Sequence, residues 1–370
     1  MYKRNAIVVT SWPGQPGCGE LERLAAADEG ARNHYVELAR TLQADVIDSH
    51  FMAERSTWQA RLVMRRAGMV AGQVAEAALT QRRYQHIVAW ADRIGLPLAF
   101  LFKTAHSRRD LVLISAWLSR RQKAVFLSHL KVHSHLKAII NYSSMQMQIA
   151  ANKLDVPHEK LHLALQPVDE QFWRPMGEQP KQLICAVGSE ARDYATFINA
   201  VKGIDVDVEI AIGSSVLART DEVARPLHVA GLPPNVRVLQ DLNHTQLRQL
   251  YCRSRFVVVP LQDVDSDCGV TVIAEAMAMG KAVIVSRSRG QIDLIRDGEQ
   301  GIYVRPGDPS ALRAAIEYLS ANPNEAERMG RAGRALVEKR LTLDQYVAQL
   351  AEIVLADGPA SEQSGLIRSP

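Results

Sequence analysis

Val257-Val258-Val259-Pro260-Leu261-Gln262-Asp263-Val264-Asp265-Ser266-Asp267-Cys268-Gly269-Val270-Thr271-Val272-Ile273-Ala274-Glu275-Ala276-Met277-Ala278-Met279-Gly280-Lys281-Ala282-Val283-Ile284-Val285 reads as a strand, a loop, a helix, a turn and a second strand. The opening run is apolar at every position, as in a parallel strand covered on both faces. The loop places Asp at 263, 265 and 267 and closes on Gly269. Small and apolar residues over Val272–Met279 then fit a short helix, and Gly280 fits its stop. A helix that begins near Gly269–Thr271 offers unpaired N–H groups and a positive dipole end to a phosphate. Gly269 would let a ligand approach the backbone closely. Asp267 precedes the helix and Glu275 lies within it, two turns on, so both carboxylates can face one cleft.

The same alternation extends in both directions. Strands are expected at Ile7–Thr10, Asp45–Ile47, His86–Ala89, Leu98–Leu101, Leu111–Ile114, Ala138–Ile140 and Leu161–Leu165. In the second half they are expected at Leu183–Val187, Val208–Ile212, Val236–Leu239, Phe256–Val259, Ala282–Val285 and Gly301–Val304. Helical patterns include Ala31–Leu42, Ser144–Lys153, Ala195–Val201, His244–Tyr251, Ser310–Ser320, Asn324–Glu338 and Leu343–Leu355. Strands alternating with helices at this spacing argue for βαβ units and parallel sheets, an α/β chain. At 370 residues it is long enough for two domains. Pro, Gly and charge cluster over Val168–Gly177, the expected junction. The organisation expected is a Rossmann-like domain over 1–170, a second over 171–340, a helix over 341–356 returning to the first, and a flexible tail over 357–370. Ligands of such sheets bind outside the carboxyl ends of the strands, here in the cleft between domains.

A hydrophobic share of 47% and a charged share of 23% exclude a disordered chain or a fibre. A net charge of +4 with a pI of about 8.9 is too weak for a dedicated nucleic-acid binder. The charge is uneven: residues 1–170 carry 22 Lys and Arg against 15 Asp and Glu, whereas residues 171–370 carry 22 against 25. Cys18, Cys185, Cys252 and Cys268 are widely spaced with no CxxC pair, so neither a disulfide framework nor a zinc site is indicated and a cytoplasmic location is expected. No segment reaches the ~20 apolar residues of a membrane span, and the start reads as a buried strand, not a signal peptide.

The acidic loop and its helix resemble the donor-site signature of GT-B glycosyltransferases, retaining family 4, also called group 1. That signature is Glu-x7-Glu followed by Ala-Met-Ala-x-Gly-x-Pro-Val-Val; this chain has Asp267-x7-Glu275 and then Ala276 to Ile284. The likeness continues through Gly290-Gln291-Ile292-Asp293-Leu294-Ile295, Asp297-Gly298, Gly301, Val304–Asp308 and Gln166–Asp169 with Phe172 and Pro175. It covers about residues 165–350 and rests in the first half on Ile140–Ser143 and strand order. The resemblance implies two Rossmann-like, doubly wound domains facing a central cleft. It implies transfer of a sugar from a nucleotide-sugar to an acceptor (glycan, lipid or small molecule), with retention, without a metal and without a cofactor.

By the same resemblance Glu275 would hold the ribose hydroxyls of the donor and Asp267 the sugar hydroxyls, while backbone N–H groups of Gly269, Val270 and Thr271 would hold the diphosphate or sugar. Arg192, four residues beyond Gly188, stands where the family's Lys neutralises the leaving diphosphate, and Ser189 replaces the usual Arg. Gly269 sits six residues before Glu275 where the family has five, so Asp265 remains a rival to Asp267. The family's sugar-contacting His has no match after Leu111–Ile114; His50 and His106 are the stand-ins. Gly17 and Gly19, in the Gly-rich loop after the first strand, are expected against acceptor or diphosphate. A sugar-nucleotide epimerase on the same scaffold and a catalytically silent nucleotide-sugar binder are the alternatives.

Other readings of these residues are weaker. Asp263–Asp267 contains overlapping DxD patterns, but these sit too late in the chain for a metal-dependent single-domain transferase. A calcium loop would need Gly at Cys268 and Glu at Ala274. Gly14–Glu20 lacks the third Gly of a dinucleotide fingerprint, because position 22 is Glu. Residues 101–137 carry eight Lys and Arg against Asp110 alone, interleaved with apolar residues such as Val125, Phe126 and Leu130. Such an element suits either an anionic membrane or a solvated wall. His129, His133 and His135 have no adjoining acidic ligand for a metal.

Overall fold

The computed structural model describes residues 5–11, 14–177, 182–213 and 231–356; the expected tail 357–370 lies outside them. The chain forms two compact units. One takes the chain as far as Leu21, then Asn33–Ala164, and again from Tyr346; the other takes Glu22–Arg32 and Leu165–Gln345.

Among the described residues, the first unit holds a six-stranded sheet in the order β2-β1-β3-β4-β5-β6. Its strands are β1 (Asn5–Val9), β2 (Ala44–Ile47), β3 (His86–Trp90), β4 (Asp110–Ser115), β5 (Ala138–Asn141) and β6 (Leu161–Leu163). Every pairing is parallel. Ile7 lies opposite both Val46 and Val88, so central strand β1 is buried along its length. This is the all-apolar pattern of a strand with helices on both faces.

The second unit repeats the plan in the order β12-β11-β10-β7-β8-β9, again all parallel. Its strands are β7 (Leu183–Val187), β8 (Asp207–Ile212), β9 (Val236–Gln240), β10 (Phe256–Val259), β11 (Ala282–Ser286) and β12 (Gly301–Val304). The order departs from β7 in opposite directions, to β8 on one side and to β10 on the other. The loops leaving β7 and β10 therefore diverge at the carboxyl edge, which is where open α/β sheets bind ligands.

The helix Val270–Ala278 buries seven of its residues, Glu275 and Thr271 excepted, so its small and apolar side chains seat it on the sheet. Helix Pro323–Arg340 crosses behind it so closely that a Cβ on Gly330 would lie 2.0 Å from the Gly280 carbonyl oxygen. Gly330→Ala is therefore expected to cost about 1–3 kcal/mol through overpacking, seen as a lower urea midpoint. An unchanged midpoint would mean that the two backbones do not meet there.

The expected junction groups with the second unit. Val168 N–H donates to the Leu341 carbonyl at 2.9 Å, and Phe172 and Trp173 are buried. Asp169 accepts from the Arg32 backbone N–H at 2.8 Å and from Arg32 Nε at 3.0 Å. Arg248 grips Asp28 with both nitrogens at 2.9 and 3.0 Å while lying 4.1 Å above the Phe172 ring. These paired contacts fix the excursion Glu22–Arg32 to this unit, and the Arg248 guanidinium holds the Asp28 carboxyl below its usual range.

One expected strand is a helix. Leu98–Leu101 lies inside Asp92–Thr104, where Leu98, Ala99 and Phe102 are buried and Phe100 and Leu101 exposed. A four-residue apolar run does not separate a strand from the buried stripe of a helix. Helices Ser49–Glu54, Trp58–Ala67 and Met69–Thr80 add an all-helical stretch between β2 and β3.

Candidate functional site in the second unit

The loop after β7 begins at Gly188, whose φ of +103° suits glycine. A Cβ there would sit 2.5 Å from Arg192 Nη2, so the guanidinium folds back over the glycine. Arg192 Nε donates to the Val187 carbonyl at 2.9 Å and Nη1 to the Glu190 carbonyl at 2.8 Å. The Tyr194 hydroxyl donates to the Gly188 carbonyl. Asp193 caps the helix Tyr194–Val201 by accepting from Thr196 N–H at 3.0 Å. The Oγ of Ser189 is buried with no partner.

The loop after β10 lies against the first. Asp193 N–H donates to Pro260 and Gln262 N–H to Ala191, at 3.0 and 2.9 Å, and Arg192 bridges to Leu261. Its other side is tied to the loop after β11: Ser288 Oγ accepts from Val264 N–H at 2.9 Å and donates to its carbonyl at 2.7 Å. Arg289 N–H donates to Asp263 at 3.1 Å. Asp265 and Asp267 are half-buried in this strapped loop, and the buried Ser266 and Cys268 face each other at 3.0 Å. Gly269, in the left-handed region at φ +88°, sits at the N-cap of Val270–Ala278, which has no side-chain cap. Its Cβ would meet Val259 at 2.9 Å, so the helix start is drawn onto the end of β10. Val270 N–H turns back to the Asp267 carbonyl at 3.2 Å, and the other N–H groups of a helix start without a side-chain cap stay available to an anion.

Two turns along this helix stands Glu275. Burial pushes its carboxyl up to about 7, opposed by the Tyr251 hydroxyl, which donates to Oε2 at 2.9 Å. Tyr251 is fully buried in the helix His244–Arg253 and packs edge-on against Trp173 at 5.7 Å. Burial first, and Glu275 second, raise its phenol well above the ordinary value, while Arg192 pulls the other way. Cys268 is raised by burial and likewise feels Glu190, Asp267 and Arg192. Arg192, Tyr251, Glu275 and Cys268 thus share one electrostatic neighbourhood at the divergence of β7 and β10.

The fold therefore gathers Gly188, Arg192, Gly269, Val270, Thr271 and Glu275, with Asp265 and Asp267 on the bordering loop. Tyr251 was not expected. Tyr251 reads in sequence as one more apolar helix residue, and a polar role for it has no signature. Gln291, 2% exposed with an unpartnered Nε2, is a further buried polar group on the loop after β11. Among the described residues no three His, Cys, Asp or Glu side chains converge as a metal site needs.

Gly17 and Gly19 belong to the first unit. Gly17 lies under the His50 ring, whose Cδ2 would be 3.1 Å from an added Cβ, and His50 Nε2 meets the Gln15 carbonyl at 2.9 Å. His50 and the glycine loop are thus neighbours. His106 instead follows the far end of Asp92–Thr104 in a left-handed conformation. At the carboxyl edge of this sheet Ser115 and Asn141 lie opposite in register and fully buried, and the side-chain polar atoms of both have no partner. Such groups call for water or a ligand. His34, Trp90, Tyr35 and Tyr346 form an aromatic cluster in this unit, and burial lowers His34 to about 4.

The basic element 101–137 is less free than its sequence reads. Lys103 donates to the Leu130 carbonyl at 2.7 Å, Lys123 pairs with Asp92 at 2.5 Å, and Lys137 pairs with Asp110 at 3.1 Å and the Ala356 carbonyl at 2.6 Å. The side chain of Arg121 falls outside the described residues. Among the described residues no helix is long and apolar enough to cross a membrane.

Residues 197–336, in the second unit, match the family model of glycosyl transferases group 1. A region of 203 residues is 30% identical to α-maltose-1-phosphate synthase of Mycobacterium tuberculosis, covering 47% of this chain and 51% of that protein. The curated relatives it resembles are matched over 29% to 55% of their length. Sucrose-phosphate synthase of Thermosynechococcus elongatus superposes with a TM-score of 0.71 at 15% identity, over 95% of this chain and 98% of that one. Anabaena HepE, solved with UDP and glucose, gives 0.68 at 16% identity, over 94% and 98%. The fold is that of the GT-B glycosyltransferases.

Proposed function

We propose that this chain transfers a sugar from a nucleoside-diphosphate sugar to a carbohydrate, lipid or small-molecule acceptor, with retention and without a metal. The observation that carries this is the enclosed Glu275 carboxylate two turns beyond the side-chain-uncapped helix start at Gly269. One end suits a diol and the other a diphosphate. The solved complex of HepE with UDP-glucose adds a relative of the same fold that holds such a donor.

In this reading Glu275 accepts the ribose hydroxyls, and its Tyr251 partner holds the carboxylate in place. Backbone N–H groups of Gly269, Val270 and Thr271 take the diphosphate or sugar. Asp267, or Asp265, accepts sugar hydroxyls. Arg192, pinned by backbone carbonyls over Gly188, stabilises the charge that grows on the departing diphosphate. The first unit supplies the acceptor side, with Gly17 and Gly19 in its glycine loop, and the location is cytoplasmic. Membrane association through residues 101–137 is the weaker part, because Lys103, Lys123 and Lys137 are already engaged.

Incubation with UDP-glucose and a panel of other nucleotide-sugars, with EDTA present, tests the reading. A raised melting temperature with one donor, and a glycosylated product from a sugar or lipid extract, are expected. An isomerised nucleotide-sugar without acceptor would mark an epimerase, and donor binding without turnover a silent binder; either would end the transferase assignment. Activity lost in EDTA and restored by Mg2+ would overturn metal independence. Arg192→Ala is expected to lower kcat about 10²-fold or more with little change in KM, as for loss of a group used mainly in the transition state.

A further inference from the structure

Helix Trp58–Ala67 buries only Ala60. Trp58 is 71% exposed and Leu62 42%, four residues apart on one face. At about 100° per residue, Arg61 and Arg65 fall along one flank of this ridge and Arg66 along the other. The helix pairs with Met69–Thr80 as an antiparallel hairpin. Met64 lies 2.6 Å from the place of a Cβ on Gly72, and Thr57 donates its N–H and hydroxyl to Glu76, each at 2.7 Å. That register puts Leu79, 53% exposed, at the same end as Trp58, with exposed Arg82 and Arg83 just beyond. Residues 55–83 hold six arginines and one acidic residue, Glu76, which is fully buried. The hairpin surface thus presents apolar side chains among arginines with no exposed carboxylate.

We propose that this hairpin face docks on an anionic lipid surface, with Trp58 and Leu62 entering the headgroup boundary and the arginines meeting lipid phosphates. Charge selects the partner. A second copy of the chain would bring arginines against arginines, and a nucleic acid would satisfy them but leave Leu62 and Leu79 without apolar contact. Aromatic and aliphatic side chains flanked by cations are what an interfacial helix requires. The proposal stands apart from the catalytic reading and needs no donor or acceptor.

The full chain is tested by co-sedimentation with phosphatidylcholine vesicles, with and without phosphatidylglycerol, at low and high salt. Binding is expected only with phosphatidylglycerol, weakened by salt, and accompanied by a blue shift of tryptophan emission that Trp58→Phe removes. Trp58→Ser with Leu62→Ser, and separately Arg65→Glu with Arg66→Glu, should each weaken binding about tenfold or more with unchanged melting curves. Arg331→Glu with Lys339→Glu, on exposed residues of the second unit, should leave binding unchanged. The proposal is overturned if the wild type ignores phosphatidylglycerol, if only Arg108→Glu with Lys131→Glu weakens binding, or if the hairpin arginines bind RNA and not vesicles.

Discussion

Glu275→Gln is expected to be more stable than the wild type at pH 8 and to bind nucleotide-sugar far more weakly. Burial lifts the Glu275 carboxyl from its ordinary 4.5 to about 7. The folded chain therefore holds this proton more tightly than the unfolded one, and the group's favourable contribution is complete below pH 4.5. It is lost as pH rises from about 4.5 to 7, and above that the ionised group is a burden on folding. At ~1.4 kcal/mol per pKa unit the difference reaches about 3–4 kcal/mol at pH 8. Glutamine still accepts from the Tyr251 hydroxyl but carries no charge to desolvate. His34, lowered to about 4 by burial, works in the opposite sense, since its contribution is lost as pH falls from about 6.5. Only the difference between wild type and variant isolates Glu275. Urea melts at pH 5 and pH 8 check it: the gap should open at the higher pH, and parallel curves would mean that the carboxyl ionises normally.

The same carboxylate links stability to binding. Ribose hydroxyls donate, so they prefer the ionised form, and donor affinity should fall as pH drops below 7. Charged hydrogen bonds of this kind contribute ~1.5–3 kcal/mol each. Calorimetric affinity for the donor that is independent of pH, or retained in Glu275→Gln, would remove Glu275 from the ribose. Function and stability thus pull apart at one residue, as expected of a group kept for a ligand.

Much of this was legible because the signals were local. The runs Leu183–Val187, Phe256–Val259 and Ala282–Val285 are apolar on both faces and rich in Val and Ile, as covered parallel strands are, and all three are strands of the second sheet. The placement of Glu275 followed from a glycine, an interval and a helical pattern. Leu98–Leu101 failed because the burial that made the run apolar belongs to a helix packed on its neighbours. The basic excess of 101–137 is only partly legible for a related reason: sequence counts charges, whereas Lys137 is used up on Asp110 and two carbonyls. Tyr251 was invisible because its hydroxyl meets a carboxylate 24 residues away. Such a pairing exists only once two helices are seated on the same sheet.

Gly290→Ala is expected to disable the acidic loop while leaving the sheets intact. A Cβ there would lie 2.1 Å from the Ser266 carbonyl oxygen and 2.6 Å from the Asp265 carbonyl carbon, distances at which backbone must move. The loop has little slack, because Val264 is held on both its N–H and carbonyl by Ser288. Gly290 N–H itself donates to the Val264 carbonyl at 2.9 Å. The methyl must break that strap or push Asp265 and Ser266 outward. The cost expected is about 1–3 kcal/mol in stability. Donor affinity should fall tenfold or more, which needs only ~1.4 kcal/mol of misplacement. Gly298→Ala is the control: its φ of +78° strains an alanine, but nothing lies within 4 Å of the added Cβ. It should lose stability alone, without loss of donor binding. If Gly290→Ala binds donor as the wild type does, then the loop bearing Asp265 and Asp267 does not position the sugar, and the side-chain-uncapped helix at Gly269 with Glu275 must hold the donor unaided.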